Sequence, residues 1–382
     1  MVPKSIKKSN KIYLDYASGV LPNPSGIHNV GVYAKKKLED ARKRVAAILN
    51  TRAKEIIFTS GGTESNNLAI QGVVLAYKGK TLPHIITTNI EHSSVLETFK
   101  LLEKRKLAEI SIVSVETNGV VNPKKIKKEI KNNTILISVN YANNEIGTIQ
   151  PINEIAKEIR HYRKQATKKE GFPFFHIDAV QAVNYLDLNV EHLGVDLLTL
   201  SGAKIIDAGR VGVLYKKSSV ILSPVFGGGD QEMGLRPGTE NLPAIISFAD
   251  ALENTEKIKE KENDRIRKLQ EYFFRKLEKE NIIINGDLEY RLPNNINITI
   301  PKISSDLLVI ELASYGISAS SKSACKVGDG KASYVLQAIN PNLKETDGSL
   351  RFSLGRDTTK KDIDTTLRAL FQILYKLKKW YY

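Results

Sequence analysis

Leu197-Leu198-Thr199-Leu200-Ser201-Gly202-Ala203-Lys204 is the stretch whose reading decides the fold. Its apolar run reads as a buried strand, its small residues as a turn, and a single lysine stands just past them. Most lysines face water. An amine at the mouth of a buried strand has a second use, because desolvation disfavours its charged form and frees it to attack a carbonyl and form a Schiff base. The stretch alone leaves both readings open.

Working outward, strands are expected at 12–16, 56–58, 84–88, 110–115, 134–139, 174–178, 197–200 and 211–215. Helices are expected at 28–49, 66–77, 94–103, 123–131 and 153–165. In the first of these, Ala34, Leu38, Ala41, Val45, Ile48 and Leu49 recur at helical spacing. Strands alternating with helices over this length predict βαβ units and a mostly parallel sheet, an α/β fold. Beyond Val225 the pattern changes to a Gly-rich polar loop over 226–241 and a long helix over 242–280 with room for one interruption. Strands at 282–284, 296–300 and 350–354 then mix with helices at 306–314, 332–338 and 359–378, which predicts a smaller α+β domain. The expected division is a large domain over 12–245 and a small one over 246–382, with residues 1–11 packing on the latter.

With 382 residues, two domains fit the length. No apolar run is long enough to span a bilayer, and 1–11 has lysines but no apolar signal segment. The single cysteine, Cys325, cannot form an internal disulfide and agrees with a cytoplasmic location. The net charge of +15 favours acidic partners, yet the lysines are scattered among acidic residues and form no aromatic-interleaved stripe, so direct nucleic-acid binding is not expected.

Ligands in open α/β sheets bind beyond the carboxyl ends of the strands. Polar groups follow each expected strand there: Gly61-Gly62-Thr63 after Phe58, Glu91-His92 after Thr88, Asn143-Asn144-Glu145 after Val139, Asp178 with Gln181, and Ser201 with Lys204. Gly-Gly-Thr opening a helix offers N–H groups to an anion, or is an ordinary N-cap. Asp178 is suited to pair with a pyridinium nitrogen, or to cap the next turn. His92 can stack on a flat ring or start a helix. Asn144 can donate to a ring oxygen or close a turn.

Cys325 lies in Ser321-Lys322-Ser323-Ala324-Cys325-Lys326-Val327-Gly328, small and polar throughout. That composition predicts an exposed loop, and Lys322 and Lys326 favour the thiolate. The alternative is an incidental surface cysteine.

Together these pieces resemble the NifS/IscS-type cysteine desulfurases of the class V aminotransferase family, pyridoxal-phosphate enzymes with an aspartate-aminotransferase-like large domain. The resemblance is carried over nearly the whole chain by the segments 12–16, 59–67, Glu91-His92, 143–147, 176–179, 201–204, 227–241, Ser323-Ala324-Cys325 and 351–356. It implies that Lys204 is the Schiff-base lysine, that Asp178 pairs with the pyridine nitrogen, and that His92 stacks on the ring and also serves catalysis by moving protons. It implies ring-hydroxyl contacts from Asn144 and Gln181, and phosphate contacts from Gly62, Thr63 and Ser201. Thr239 is similar to a phosphate contact supplied by the second subunit of a homodimer. Arg351 resembles the residue that grips the substrate carboxylate, with Asn144 beside it, and Cys325 the nucleophile that carries sulfur as a persulfide. The implied cofactor is pyridoxal 5'-phosphate, the substrate L-cysteine, and the partner a sulfur-acceptor protein of iron–sulfur cluster assembly or tRNA thiolation. No metal site is expected.

The chain departs from the family pattern in four places. Ala203 stands where the family has a phosphate-binding His, and Ile206-Asp207-Ala208 replaces Tyr-Gly-Pro. The segment between Ala17 and Asn23 is short, and the chain ends at Trp380-Tyr381-Tyr382, without the tail that some relatives use to dock a scaffold. The first two keep alternatives in view: selenocysteine lyase or aminotransferase-like chemistry on the same cofactor, or a degenerate paralogue that only binds a partner.

Overall fold

The computed structural model describes residues 12–165, 171–278, 282–321, 333–344 and 346–381. Seven strands form the main sheet: β1 (Ile56–Thr59), β2 (His84–Thr88), β3 (Glu109–Val113), β4 (Thr134–Asn140), β5 (Phe174–Asp178), β6 (Leu197–Ser201) and β7 (Gly212–Lys216). Their order is β1-β7-β6-β5-β4-β2-β3. Only β7 runs against its neighbours, so the sheet is mostly parallel, as the alternating pattern predicts.

Every residue of β1, β2, β4, β5 and β6 is buried, as expected where helices cover both faces of a parallel sheet. The pleat sends alternate side chains to opposite cores. Ile56 and Phe58 join one core with helices α1 (Asn29–Ile48) and α5 (Ile152–Gln165). Ile57 joins the other, with α2 (Gly62–Ala76) and α3 (Ser93–Lys104). Two short helices, α4 (Pro123–Glu129) and α6 (Val190–Leu193), complete this half of the chain.

The helix α7 (Leu242–Leu277) is continuous over 36 residues, without the interruption its polar middle allowed. Its first half buries Ile245, Phe248 and Leu252 in the α1 core. Its second half buries Ile266, Phe273 and Leu277 in a third core with a small antiparallel sheet. That sheet has the order β10-β9-β8, from β8 (Ile283–Ile284), β9 (Asn295–Ile300) and β10 (Gly348–Ser353). Helices α8 (Ser305–Ser314) and α10 (Lys360–Tyr381) pack on it, and α9 (Tyr334–Ile339) packs against the α1 core.

The sequence Asn295-Ile296-Asn297-Ile298-Thr299-Ile300 splits by the same pleat. The isoleucines enter the third core, while Asn295 and Asn297 both donate through Nδ2 to the Glu145 carbonyl, at 3.0 and 2.9 Å. The small sheet thereby grips the loop after β4. Gly147 in that loop is left-handed at φ +74, and a Cβ there would lie 2.6 Å from Asn295 Cβ.

One expected element is corrected. Residues 12–15 form no strand, and Tyr16–Ser18 is a 3-10 turn. Ile12 and Leu14 are 85% and 89% exposed, so among the described residues the alternation has no buried face to satisfy. Among the described residues, no helix is long and apolar enough to cross a membrane.

Gly147→Ala should cost about 1–2 kcal/mol for the left-handed backbone alone, plus the clash with Asn295. Gly316→Ala, also at φ +74 but with open space around it, isolates the backbone cost. Urea unfolding of both variants checks this; equal losses would show that the Asn295 contact is not close.

Candidate active site

A cavity of about 750 Å³ opens beyond the carboxyl ends of the parallel strands. It lies within the size range of small-molecule sites. Gly62, Thr63, His92, Asn144, Asp178, Gln181, Ser201, Lys204 and Arg351 all line it. The structure does not bring Thr239 there: it is exposed in the loop before α7 and lies outside the cavity of its own chain. Cys325 lies outside the described residues.

One end of the cavity is built from the start of α2. The first turn of a helix leaves its N–H groups without intrahelical partners. Gly62 lets that turn close on β6, since a Cβ there would lie 2.9 Å from Val180 Cγ2 and 3.3 Å from Ser201 Cβ. Thr63 and Ser201 line this end of the cavity with Gly62. This end suits an anion.

Asp178 ends β5 and is 6% exposed. Of its two expected uses, the structure shows the turn cap. Oδ1 accepts from Val180 N–H at 3.0 Å, which caps the turn. Oδ2 accepts from Asn66 Nδ2 at 2.7 Å. Asn66 in turn donates to Ser94 Oγ at 2.9 Å, and its own Oδ1 is buried without a protein partner. Asn66 lies in the segment 59–67, but the sequence assigns it no role. Its signal is position, one helical turn after Gly62 and therefore on the same face of α2.

His92 caps α3: its Nδ1 accepts from Ser94 N–H at 3.1 Å. Accepting at Nδ1 places the neutral ring's proton on Nε2. Glu91 beside it is fully buried. Its Oε1 accepts from Thr88 Oγ1 at 2.6 Å and from Asn140 N–H at 3.0 Å. Burial, with Asp178 nearby, pushes its carboxyl up to about 8. The Tyr334 hydroxyl at the start of α9 donates to the Glu91 carbonyl at 2.5 Å.

Lys204 sits in the 3-10 turn Gly202–Lys204 and is exposed to the cavity. Two contacts fix its backbone. Gly202 N–H donates to Val211 O at 2.7 Å, and Asn184 Nδ2 donates to Lys204 O at 2.6 Å. Asp207 a few residues on is left-handed at φ +66. That accounts for it: Asp is among the few side chains that tolerate this conformation.

Arg351 reaches the cavity from β10. Its Nη1 donates to the Asn144 carbonyl at 3.1 Å, and its Nε is buried without a protein partner. Burial, opposed by nearby Glu145, lowers its pKa from the usual arginine value. The described residues on either side of the cysteine segment are anchored around this site. Ser320 exchanges backbone hydrogen bonds with Arg351, and Ser333 Oγ donates to the Glu145 carboxylate. Thr255, Lys259 and Glu262 also line the cavity and carried no signal in the sequence, because only the packing of α7 brings them there; Tyr185 and Arg356 line it from other segments.

Comparison with known proteins bears on this arrangement. The family model for aminotransferase class-V matches residues 1–366. The cysteine desulfurase IscS of Dictyoglomus turgidum is 41% identical, with 98% of this chain and 92% of that protein covered. The cysteine desulfurase IscS 1 of Archaeoglobus fulgidus is 38% identical over 96% of this chain and 93% of its own length. A solved NifS-like protein superposes with a TM-score of 0.84 at 32% identity, covering 93% of this chain and 92% of its own.

The Glu91 carboxyl gives a pH test. Between the ordinary glutamate value of 4.5 and about 8, the folded protein holds a proton here that the unfolded chain releases. Stability from this group therefore falls as pH rises through that window, by up to about 1.4 kcal/mol per unit. Glu91→Gln should gain on the wild type from pH 5 to pH 8 in urea unfolding. A difference that does not vary with pH would mean the carboxyl is ionised throughout.

Proposed function

We propose that this chain, which belongs to the class-V aminotransferase family, is a pyridoxal-phosphate-dependent cysteine desulfurase that converts L-cysteine to L-alanine and takes the sulfur onto Cys325. The observation that carries the reading is the convergence of Lys204, Asp178 and Arg351 on one cavity whose far end is the start of a helix.

The residues present fit the cofactor. The close approach of Gly62 to Ser201 makes a cradle of N–H and hydroxyl donors for a phosphate. Asp178, already oriented by Asn66 and Val180, would hold a proton on the ring nitrogen. Lys204 would hold the cofactor covalently, His92 would lie against its ring, and Asn144 and Gln181 would meet its hydroxyl. When bound, pyridoxal phosphate supplies an electron-withdrawing ring that eases bond breaking next to the substrate amine.

The chain's own residues do the rest. The Arg351 guanidinium, with Nε facing no protein acceptor, grips the substrate carboxylate through its planar fork. Released Lys204 Nζ moves the proton at the substrate α-carbon. The Cys325 thiolate attacks the substrate sulfur. The carbon–sulfur bond breaks, its electron pair stays with the carbon and is quenched by a proton to give alanine, and a sulfur–sulfur bond forms on Cys325. The sulfur then passes to an acceptor protein of iron–sulfur assembly or tRNA thiolation. The enzyme works as a homodimer, with Thr239 entering the neighbouring site. Two features support this: Thr239 stands exposed outside its own cavity, and Ile12, Leu14, Val20 and Ile27 are left exposed near the N-terminus.

The purified protein should be yellow, and Lys204→Ala should lose that absorption together with sulfide release from cysteine. Arg351→Ala should raise KM for cysteine on the order of 10- to 100-fold, the worth of a charged hydrogen-bonded pair. Cys325→Ser should abolish sulfide release while leaving the colour. A colourless protein that takes up no added cofactor would sink the reading.

A further inference from the structure

Residues 205–211 join the Lys204 turn to β7, and they pass close to both sides of the anion-receiving end of the cavity. A Cβ on Gly202 would lie 2.7 Å from the Gly209 carbonyl oxygen. A Cβ on Gly212 would lie 2.4 Å from the Gly61 carbonyl oxygen. Arg210 therefore stands between two points of close backbone approach, one at the turn that carries Lys204 and one at the residue before α2. Left-handed Asp207 and Gly209, at φ +66 and +70, shape the turn that delivers it.

Arg210 lines the cavity with Gly62, Thr63, Ser201 and Ala203. Of these five, it alone carries a charge, and Ala203 offers no side-chain donor at all. Among the described residues, no carboxylate pairs with Arg210. Glu64, in the first turn of α2, is held by Arg236 at 2.9 Å and by Ser60 N–H at 2.7 Å.

We infer that Arg210 is the cation that holds the phosphate of the bound cofactor, the part that Ala203 cannot play. The inference rests on the pyridoxal-phosphate reading of the Lys204 site. A helix start and two hydroxyls supply neutral donors; a guanidinium adds positive charge, and its planar fork meets two phosphate oxygens at once. Arg210 is exposed before the ligand arrives, so its substitution should leave the fold intact.

The test titrates cofactor-free protein with pyridoxal 5'-phosphate and, separately, with pyridoxal, which lacks the phosphate. Dissociation constants are read from absorbance. Arg210→Ala should weaken pyridoxal phosphate on the order of 10- to 100-fold and leave pyridoxal unchanged. Arg210→Lys should fall between, and Ala203→His added to Arg210→Ala should recover part of the loss. Inorganic phosphate should raise the melting temperature of the cofactor-free wild type and not of Arg210→Ala. Equal weakening of both ligands, or weakening of neither, would overturn the inference while leaving the cofactor reading standing. A wild type that binds neither ligand would overturn both.

Discussion

The cavity depends on how the loop after β4 is gripped. Asn143 closes that loop from within, accepting through Oδ1 from the Glu145 and Ile146 N–H groups. Asn295 and Asn297 of the small sheet hold the Glu145 carbonyl, Arg351 holds the Asn144 carbonyl, and Ser333 holds the Glu145 carboxylate. Every one of these contacts joins parts of the chain more than a hundred residues apart except the first. They keep Asn144 and Arg351, which come from different sheets, at the same wall of one cavity. Buried polar bonds of this kind stabilise modestly when made and cost more when one partner is lost. The loop is therefore specified in position more than it is strengthened.

On the other side, the loop over 226–241 is tied down by charge. Arg42 and Glu232 form a buried bidentate pair at 2.7 and 2.8 Å, and Phe58 N–H donates to the same carboxylate at 2.8 Å. Glu64 and Arg236 add a second tie. Such pairs, once desolvated, fix geometry more than they add stability. Their effect is to hold the loop against β1 and α2, so that Thr239 stands clear of its own cavity.

Much of the fold was legible because it is periodic. Isoleucines and valines at strand spacing and apolar residues at helical spacing announce βαβ units without any long-range information. The strand ends were legible for the same reason, since Asp178, Ser201 and Lys204 follow directly from where their strands stop. What was not legible depends on packing between distant segments. Asn66 acquires its place only when α2 lies beside β5. Thr255, Lys259 and Glu262 are ordinary polar residues of a helix until α7 crosses the cavity. Residues 12–16 misled in the opposite direction: their alternation is that of a strand, but among the described residues no sheet edge receives them. Asp207 was opaque as chemistry and plain as geometry, once its positive φ was in view.

The continuous helix α7 has a mechanical consequence. Thirty-six residues make a beam about 54 Å long. One end is embedded in the core beside the main sheet and the other in the core of the small sheet, at Phe248 and Phe273 respectively. The cavity-lining residues Thr255, Ile258, Lys259 and Glu262 sit between these two anchorages. The helix is thereby a strut that joins the core under the Lys204 strand to the core under the Arg351 strand, and its own middle closes the gap between them.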